Sequence, residues 1–180
     1  MIVVKVTIKG TSPILLNNPA SMGSNTTGKK VIPTPQQEAE SKCYWDTGHS
    51  SLVIPSWNLF RCLVSASKGF RDGRKSLSPT FNAGVRIEPE DYLSFGTDKY
   101  EIDIRRAVVQ RQGVLRARPK LTSWALNFDL LVDTEDFPQR LLPAVEKIVE
   151  DAGRRIGLGD FRLEKSGPYG KFVVESWEVQ

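Results

Sequence analysis

Two cysteines, one histidine and two methionines in 180 residues leave little material for several kinds of chemistry. Cys43 and Cys62 are too few for a disulfide framework, and without a CxxC pair or a His-rich cluster there is no zinc site to assemble. They read as two buried thiols in a reducing compartment. No window is apolar for the length of a membrane span, and Met1-Ile2-Val3-Val4-Lys5 alternates instead of opening a hydrophobic run. Neither a membrane segment nor a secretory signal is expected, and the expected location is the cytoplasm. Carboxylates are missing from two places: Arg105 to Lys120 has no acidic residue, and Thr11 to Trp45 has no aspartate.

A hydrophobic share of 39% supports a real core, and the length favours one domain over residues 1–180 with excursions. The formal charge of +4 is too small to announce a nucleic-acid partner by itself. Its distribution says more. Arg105, Arg106, Arg111, Arg116, Arg118 and Lys120 form one cationic stretch, while Leu121 to Asp151 holds seven acidic and two basic residues. The preference for Arg over Lys favours specific anion contact, since the guanidinium is a planar fork of donors. A solvated charged face is the alternative.

The run Ala152-Gly153-Arg154-Arg155-Ile156-Gly157-Leu158-Gly159-Asp160-Phe161-Arg162 is the most informative in the chain. Its glycines permit tight turning and close approach to a ligand, and Arg154, Arg155 and Arg162 suit phosphate. The competing account makes Gly153 a helix C-cap and the rest a connector. Other motifs are set aside. Gly23 to Lys30 resembles a P-loop, but Lys30 stands where Ser or Thr must hold magnesium, and Pro33 and Pro35 oppose the helix that should follow. His49 lies beside Asp46 and could act as a general base, although Asp46-Thr47-Gly48 is equally a turn. Asp129, Asp133, Glu135 and Asp136 read as a helix cap and a solvent-facing strand edge. No cofactor or metal is predicted.

Period-two alternation marks a first strand ending at Gly10 and a later one over Trp124 to Val132, whose Trp124 and Phe128 read as core. Residues 11–53 are rich in small and polar residues and form a long loop insertion. Ser56 is placed to cap a helix carrying Leu59, Phe60, Leu63, Val64 and Phe70, with Arg61 off that stripe. Residues 81–120 read as short strands, with 90–120 as an Arg-rich excursion. Asp136 and Gln139 suggest a capping box for a second helix, regular from about Pro143, and Lys171 to Val179 forms the last strand. This order predicts an α+β, ferredoxin-like antiparallel sheet with two helices on one face and the other face open to a ligand.

Three segments resemble the RAMP superfamily, the RNA-binding proteins that build the backbone of multi-subunit CRISPR effector complexes. The first strand runs into Thr11-Ser12-Pro13-Ile14. Asp46-Thr47-Gly48 followed by Ile54-Pro55-Ser56-Trp57-Asn58-Leu59 is similar to that family's Asp-x-x-Gly turn and Ile-Pro-Gly-Ser-Ser-Leu-Lys-Gly helix entry. Gly153 to Gly159 resembles its glycine-rich loop. The chain departs at the helix entry, with Ser56, Trp57, Asn58, Phe60 and Arg61 where the family has Gly, two Ser, Lys and Gly, so that Arg61 stands in for a displaced cation.

The resemblance implies a non-catalytic, RNA-binding, oligomerising subunit of a CRISPR-like ribonucleoprotein, compact as a phage or mobile-element form would be. The family's cleaving aspartate has no counterpart before the turn, and residues 90–120 fall where the family has a thumb-like hairpin. The implied binding residues are Trp57, Asn58, Arg61, Arg105, Arg106, Arg111, Arg116, Arg118, Gly153, Arg154, Arg155, Gly157, Gly159 and Arg162. Trp57, Phe161 and Tyr169 are candidates for stacking on bases or for core packing. The expected partners are single-stranded, guide-like RNA, further copies of the chain along it and other CRISPR-type subunits. Alternatives are a metal-independent ribonuclease with His49 as base and Lys42 or Tyr44 assisting, a phage single-stranded DNA-binding protein, and an inhibitor that binds a CRISPR complex.

Overall fold

The computed structural model describes residues 1–22, 33–109 and 111–180. The P-loop-like run Gly23 to Lys30 lies outside the described residues. In chain order the elements are β1 (Ile2–Gly10), β2 (Ile14–Leu15), α1 (Pro35–Ser41), β3 (Val53–Pro55), α2 (Ser56–Ser67), β4 (Arg71–Asp72), β5 (Lys75–Ser76), α3 (Ser78–Gly84), β6 (Val85–Glu88) and β7 (Tyr92–Ser94). They continue with β8 (Glu101–Val109), β9 (Gln112–Leu121), β10 (Ala125–Val132), α4 (Leu142–Asp151) and β11 (Phe172–Val179).

The fold is α+β. A four-stranded antiparallel sheet runs in the order β11-β1-β10-β6. Val4, Val6 and Ile8 of β1 alternate with polar neighbours and pair with Leu130, Phe128 and Leu126 of β10, so one face of the sheet is apolar. Leu59 and Leu63 of α2 and Val145, Ile148 and Val149 of α4 join these residues in one core. The opposite face mixes Lys5, Thr7, Lys9, Asn127 and Asp129 with the paired Val3 and Leu131, and Thr7 Oγ1 donates to Asn127 Oδ1 at 2.8 Å. A second antiparallel sheet, β2-β9-β8, carries the basic stretch as a long hairpin.

Several expectations change. Residues 11–53 are not a bare loop: they hold β2, a 3-10 turn at Pro19–Met22, and α1. Pro35 opens α1 instead of preventing a helix, because its missing N–H falls in the first turn, and Thr34 and Gln37 form a capping box there. Residues 81–84, expected to begin a strand, belong instead to α3. Ser56 begins α2 after Pro55 and is not its cap; its Oγ donates to the Pro89 carbonyl at 2.5 Å. Asp136 and Gln139 cap nothing, and α4 begins at Leu142 after a 3-10 turn, with Pro143 in its first turn. Gly153 does not close α4, for the chain winds on through a π turn, Ala152–Ile156, and Gly157 ends it at φ 77°.

Candidate functional site

A cleft of about 400 Å³ opens where the helix entry meets the glycine-rich loop. α2 turns Leu59, Cys62, Leu63 and Ala66 inward, which leaves Trp57, Asn58 and Arg61, one helical turn apart, on the outer side. Opposite them stand Gly157, Gly159, Asp160 and Arg162, with Asn17 and Tyr44 closing the wall. The cleft is therefore bounded by α2, the loop 157–162, the segments at Asn17 and Tyr44, and Leu15 and Ile54 of β2 and β3, not by strands of the four-stranded sheet.

The loop is held by backbone bonds. Leu158 N–H donates to the Gly170 carbonyl and Asp160 N–H to the Leu15 carbonyl, at 2.9 and 2.8 Å. A Cβ on Gly153 would lie 2.1 Å from the Phe172 carbonyl oxygen, and one on Gly159, at φ 82°, would lie 2.6 Å from that of Leu15. The close approaches that require these two glycines are thus to the protein's own strands. Cys62, buried beneath the loop, directs its thiol to the Gly157 carbonyl at 3.2 Å, and burial pushes its pKa up to about 12. Cys43 is raised to about 12 for the same reason. Tyr44 donates its hydroxyl to the Asn17 carbonyl at 3.3 Å, and burial raises its phenol above the ordinary value.

The structure brings Trp57, Asn58, Arg61, Gly157, Gly159 and Arg162 together on this cleft and leaves the other candidates elsewhere. Arg154 and Arg155 hold the Asp151 carboxylate at 2.7 and 3.2 Å, Arg155 reaching the end of α2 beside Gly69. Arg116 pairs with Glu38 of α1 at 3.2 Å and Arg118 with Asp160 at 2.7 Å, so the hairpin touches the cleft through Asp160. Arg105 bonds Asp103 at 2.7 Å and the Tyr169 hydroxyl, with its guanidinium 4.8 Å above the Tyr169 ring and 5.7 Å above that of Phe161. Arg162 pairs with Glu164 at 2.7 Å; hydrogen bonds from Ser65 and then Arg162 hold that carboxyl below its ordinary pKa. Arg106 spreads over Gly113, and Arg111 sits at the hairpin turn with φ 66°. Among the described cations the sequence nominated, Arg61, Arg106 and Arg111 have no carboxylate partner.

The stacking candidates separate by exposure. Tyr169 is 7% exposed and Phe161 38%, both already engaged by Arg105, whereas Trp57 is 59% exposed. His49, at φ 53°, has its ring 5.8 Å from that of Trp45, while the Asp46 carboxylate accepts from Ser50 and Ser51. Those bonds, the Ser50 hydroxyl first, hold Asp46 below its ordinary pKa. Lys42 is lowered by burial and sits in the field of Glu38, Arg116, Arg118 and Asp160. Among the described residues no three His, Cys, Asp or Glu side chains gather as a metal site would require, and no helix is long and apolar enough to cross a membrane.

No protein-family model and no curated protein matches the chain. What the cleft can do follows from its own residues: one unpaired guanidinium, an amide and an exposed indole facing a carboxylate-bearing loop. Sequence reasoning missed Asn17 and Asp160. The apolar run Ile14-Leu15-Leu16 was the available signal that the chain beside Asn17 is tied into the core.

Proposed function

We propose that the cleft between α2 and the Gly157–Arg162 loop grips the backbone of single-stranded RNA without cleaving it, and that the protein acts as a cytoplasmic subunit of a RAMP-type, CRISPR-like ribonucleoprotein. The observation that carries this reading is the meeting of Trp57, Asn58 and Arg61 with Gly157, Gly159 and Arg162, two sequence segments about a hundred residues apart, on one concave surface. Arg61 supplies a guanidinium not committed to a carboxylate, Asn58 an amide, and Trp57 a face on which a base stacks. The sheet order β11-β1-β10-β6, with α2 after β1 and α4 after β10, supports a ferredoxin-like scaffold of the kind this superfamily uses. A thumb role for the β8–β9 hairpin is supported by Arg106 and Arg111, which it carries without a carboxylate partner. Copies of the chain would line up along the RNA through heterologous contacts.

Fluorescence anisotropy with a labelled 12-nucleotide RNA tests the proposal. Arg61→Ala is expected to weaken binding by about tenfold, the cost of one charge-assisted contact, while Arg154→Ala, outside the cleft, stays within about twofold. Equal-length DNA that competes as well as RNA would redirect the proposal to single-stranded DNA. Equal effects of Arg61→Ala and Arg154→Ala would remove the cleft as the binding site.

A further inference from the structure

A second cleft, about 460 Å³, lies on the far side of Trp57, between the start of α2 and the α3–β6 corner. Its volume is in the range of small-molecule pockets. Trp57 walls both clefts and forms the ridge between them. Behind it the aromatic rings continue inward: Trp57 lies 5.5 Å from Phe60, and Phe60 stacks on the fully buried Phe81 at 6.4 Å. The indole is thus the exposed end of a three-ring ladder rooted in the core, a rigid platform that one more flat ring would extend.

The polar groups of this cleft differ from those of its neighbour. Arg86 donates through Nη1 to the backbone carbonyls of Asn82 and Val85 at 3.0 and 2.8 Å, which anchors one side of the guanidinium and leaves its other nitrogens to point elsewhere. Glu90, exposed, supplies a carboxylate on the same wall. One cation and one anion give a local charge near zero, which does not favour a phosphate. A planar ligand with both acceptors and donors on its edge satisfies them: guanine presents O6 and N7 as acceptors to an arginine and N1–H and N2–H as donors to a carboxylate. Adenine offers no acceptor at position 6 and no N1–H. Cytosine and uracil offer less stacking surface.

We propose that the second cleft is a guanine site, in which Trp57 stacks the base, Arg86 contacts O6 and N7, and Glu90 accepts from N1 and N2. Resting on the RNA reading of the first cleft, it adds that one nucleotide of the strand crosses the Trp57 ridge and leaves the line of its neighbours, and that this nucleotide is preferentially G.

The test uses the full chain with two readouts. In anisotropy, (UG)6 binds about tenfold tighter than (UA)6, and Glu90→Gln and Arg86→Ala each bring the ratio of the two affinities toward one. In tryptophan fluorescence, GMP quenches the wild-type protein more than AMP does, and Trp57→Phe removes the quenching. Trp57, Arg86 and Glu90 are exposed, and circular dichroism checks that each variant keeps the fold. If the RNAs bind but (UG)6 and (UA)6 are equal, or Glu90→Gln changes nothing, the guanine site is wrong and the RNA reading survives. If neither RNA binds but GMP quenches in a Glu90-dependent way, the RNA reading fails and the guanine site survives. Absence of both signals overturns both.

Discussion

Gly153 shows how a single missing side chain sets a packing distance. With a Cβ only 2.1 Å from the Phe172 carbonyl, the π turn and β11 cannot keep their distance. Gly153→Ala is therefore expected to lower stability by about 1–3 kcal/mol, as overpacking does, seen as a reduced urea midpoint. The sequence suggested a phosphate-facing or C-capping glycine here; the reason it is needed lies in a strand almost twenty residues on, which local patterning does not reveal. The two thiols make a pH prediction. Folded Cys43 and Cys62 ionise at about 12, while the ordinary value is 9.0. Their folded pKa is raised, so their contribution to stability is complete below pH 9 and is lost as pH climbs from there toward 12. Urea midpoints measured between pH 8 and 11 should fall, and part of that slope should vanish in Cys62→Ala. At neutral pH both thiols should react slowly with an aromatic disulfide reagent until the chain unfolds.

At the level of elements, the β8–β9 ribbon is tied to the body at separate points: Arg105 on Tyr169 and Phe161, Arg118 on Asp160, Arg116 on Glu38. Removing the first of these loosens the ribbon on the Tyr169 side, while Arg116, Arg118 and the β2–β9 pairing still hold its base. Arg105→Ala should raise amide hydrogen exchange in β8 and β9 by about tenfold, or roughly 1–2 kcal/mol of local opening, while β1 and β10 keep their protection. Strands β1 and β10 and helix α2 were legible because each buries one face over a run long enough to display its period. α1 and α3 were not: seven residues each, both with a proline in the first turn, they are too short to show a helical stripe, and their neighbours' polarity reads as loop. The cleft was legible on both of its main walls, through the helix entry and the glycine-rich loop. The ion pairs were not, since Arg118–Asp160 and Arg116–Glu38 join positions that only the fold makes adjacent.

For the whole molecule, those ion pairs alter the electrostatic expectation. A stretch with six cations and no acid looks like a polyanion groove, but the folded chain gives most of these side chains an internal carboxylate. Among the described residues that line the 400 Å³ cleft, Arg61 and Arg162 are the cations, the latter already shared with Glu164. Two phosphate contacts on a single strand give a salt slope of about −1.4, where five would give about −3.5. Anisotropy titrations between 50 and 300 mM salt distinguish these, and the shallow slope is expected.

Asp160 belongs to both structures at once: it lines the cleft and it fastens Arg118 of the ribbon. A phosphate that drew Arg118 away from Asp160 would therefore undo one of the ribbon's ties, and a chain in which that tie is already loosened would admit such a phosphate more readily, by the same factor. Occupancy of the cleft and freedom of the arm are then two sides of one equilibrium, so Asp160→Asn should weaken the latch and lessen the repulsion of an incoming strand in a single step.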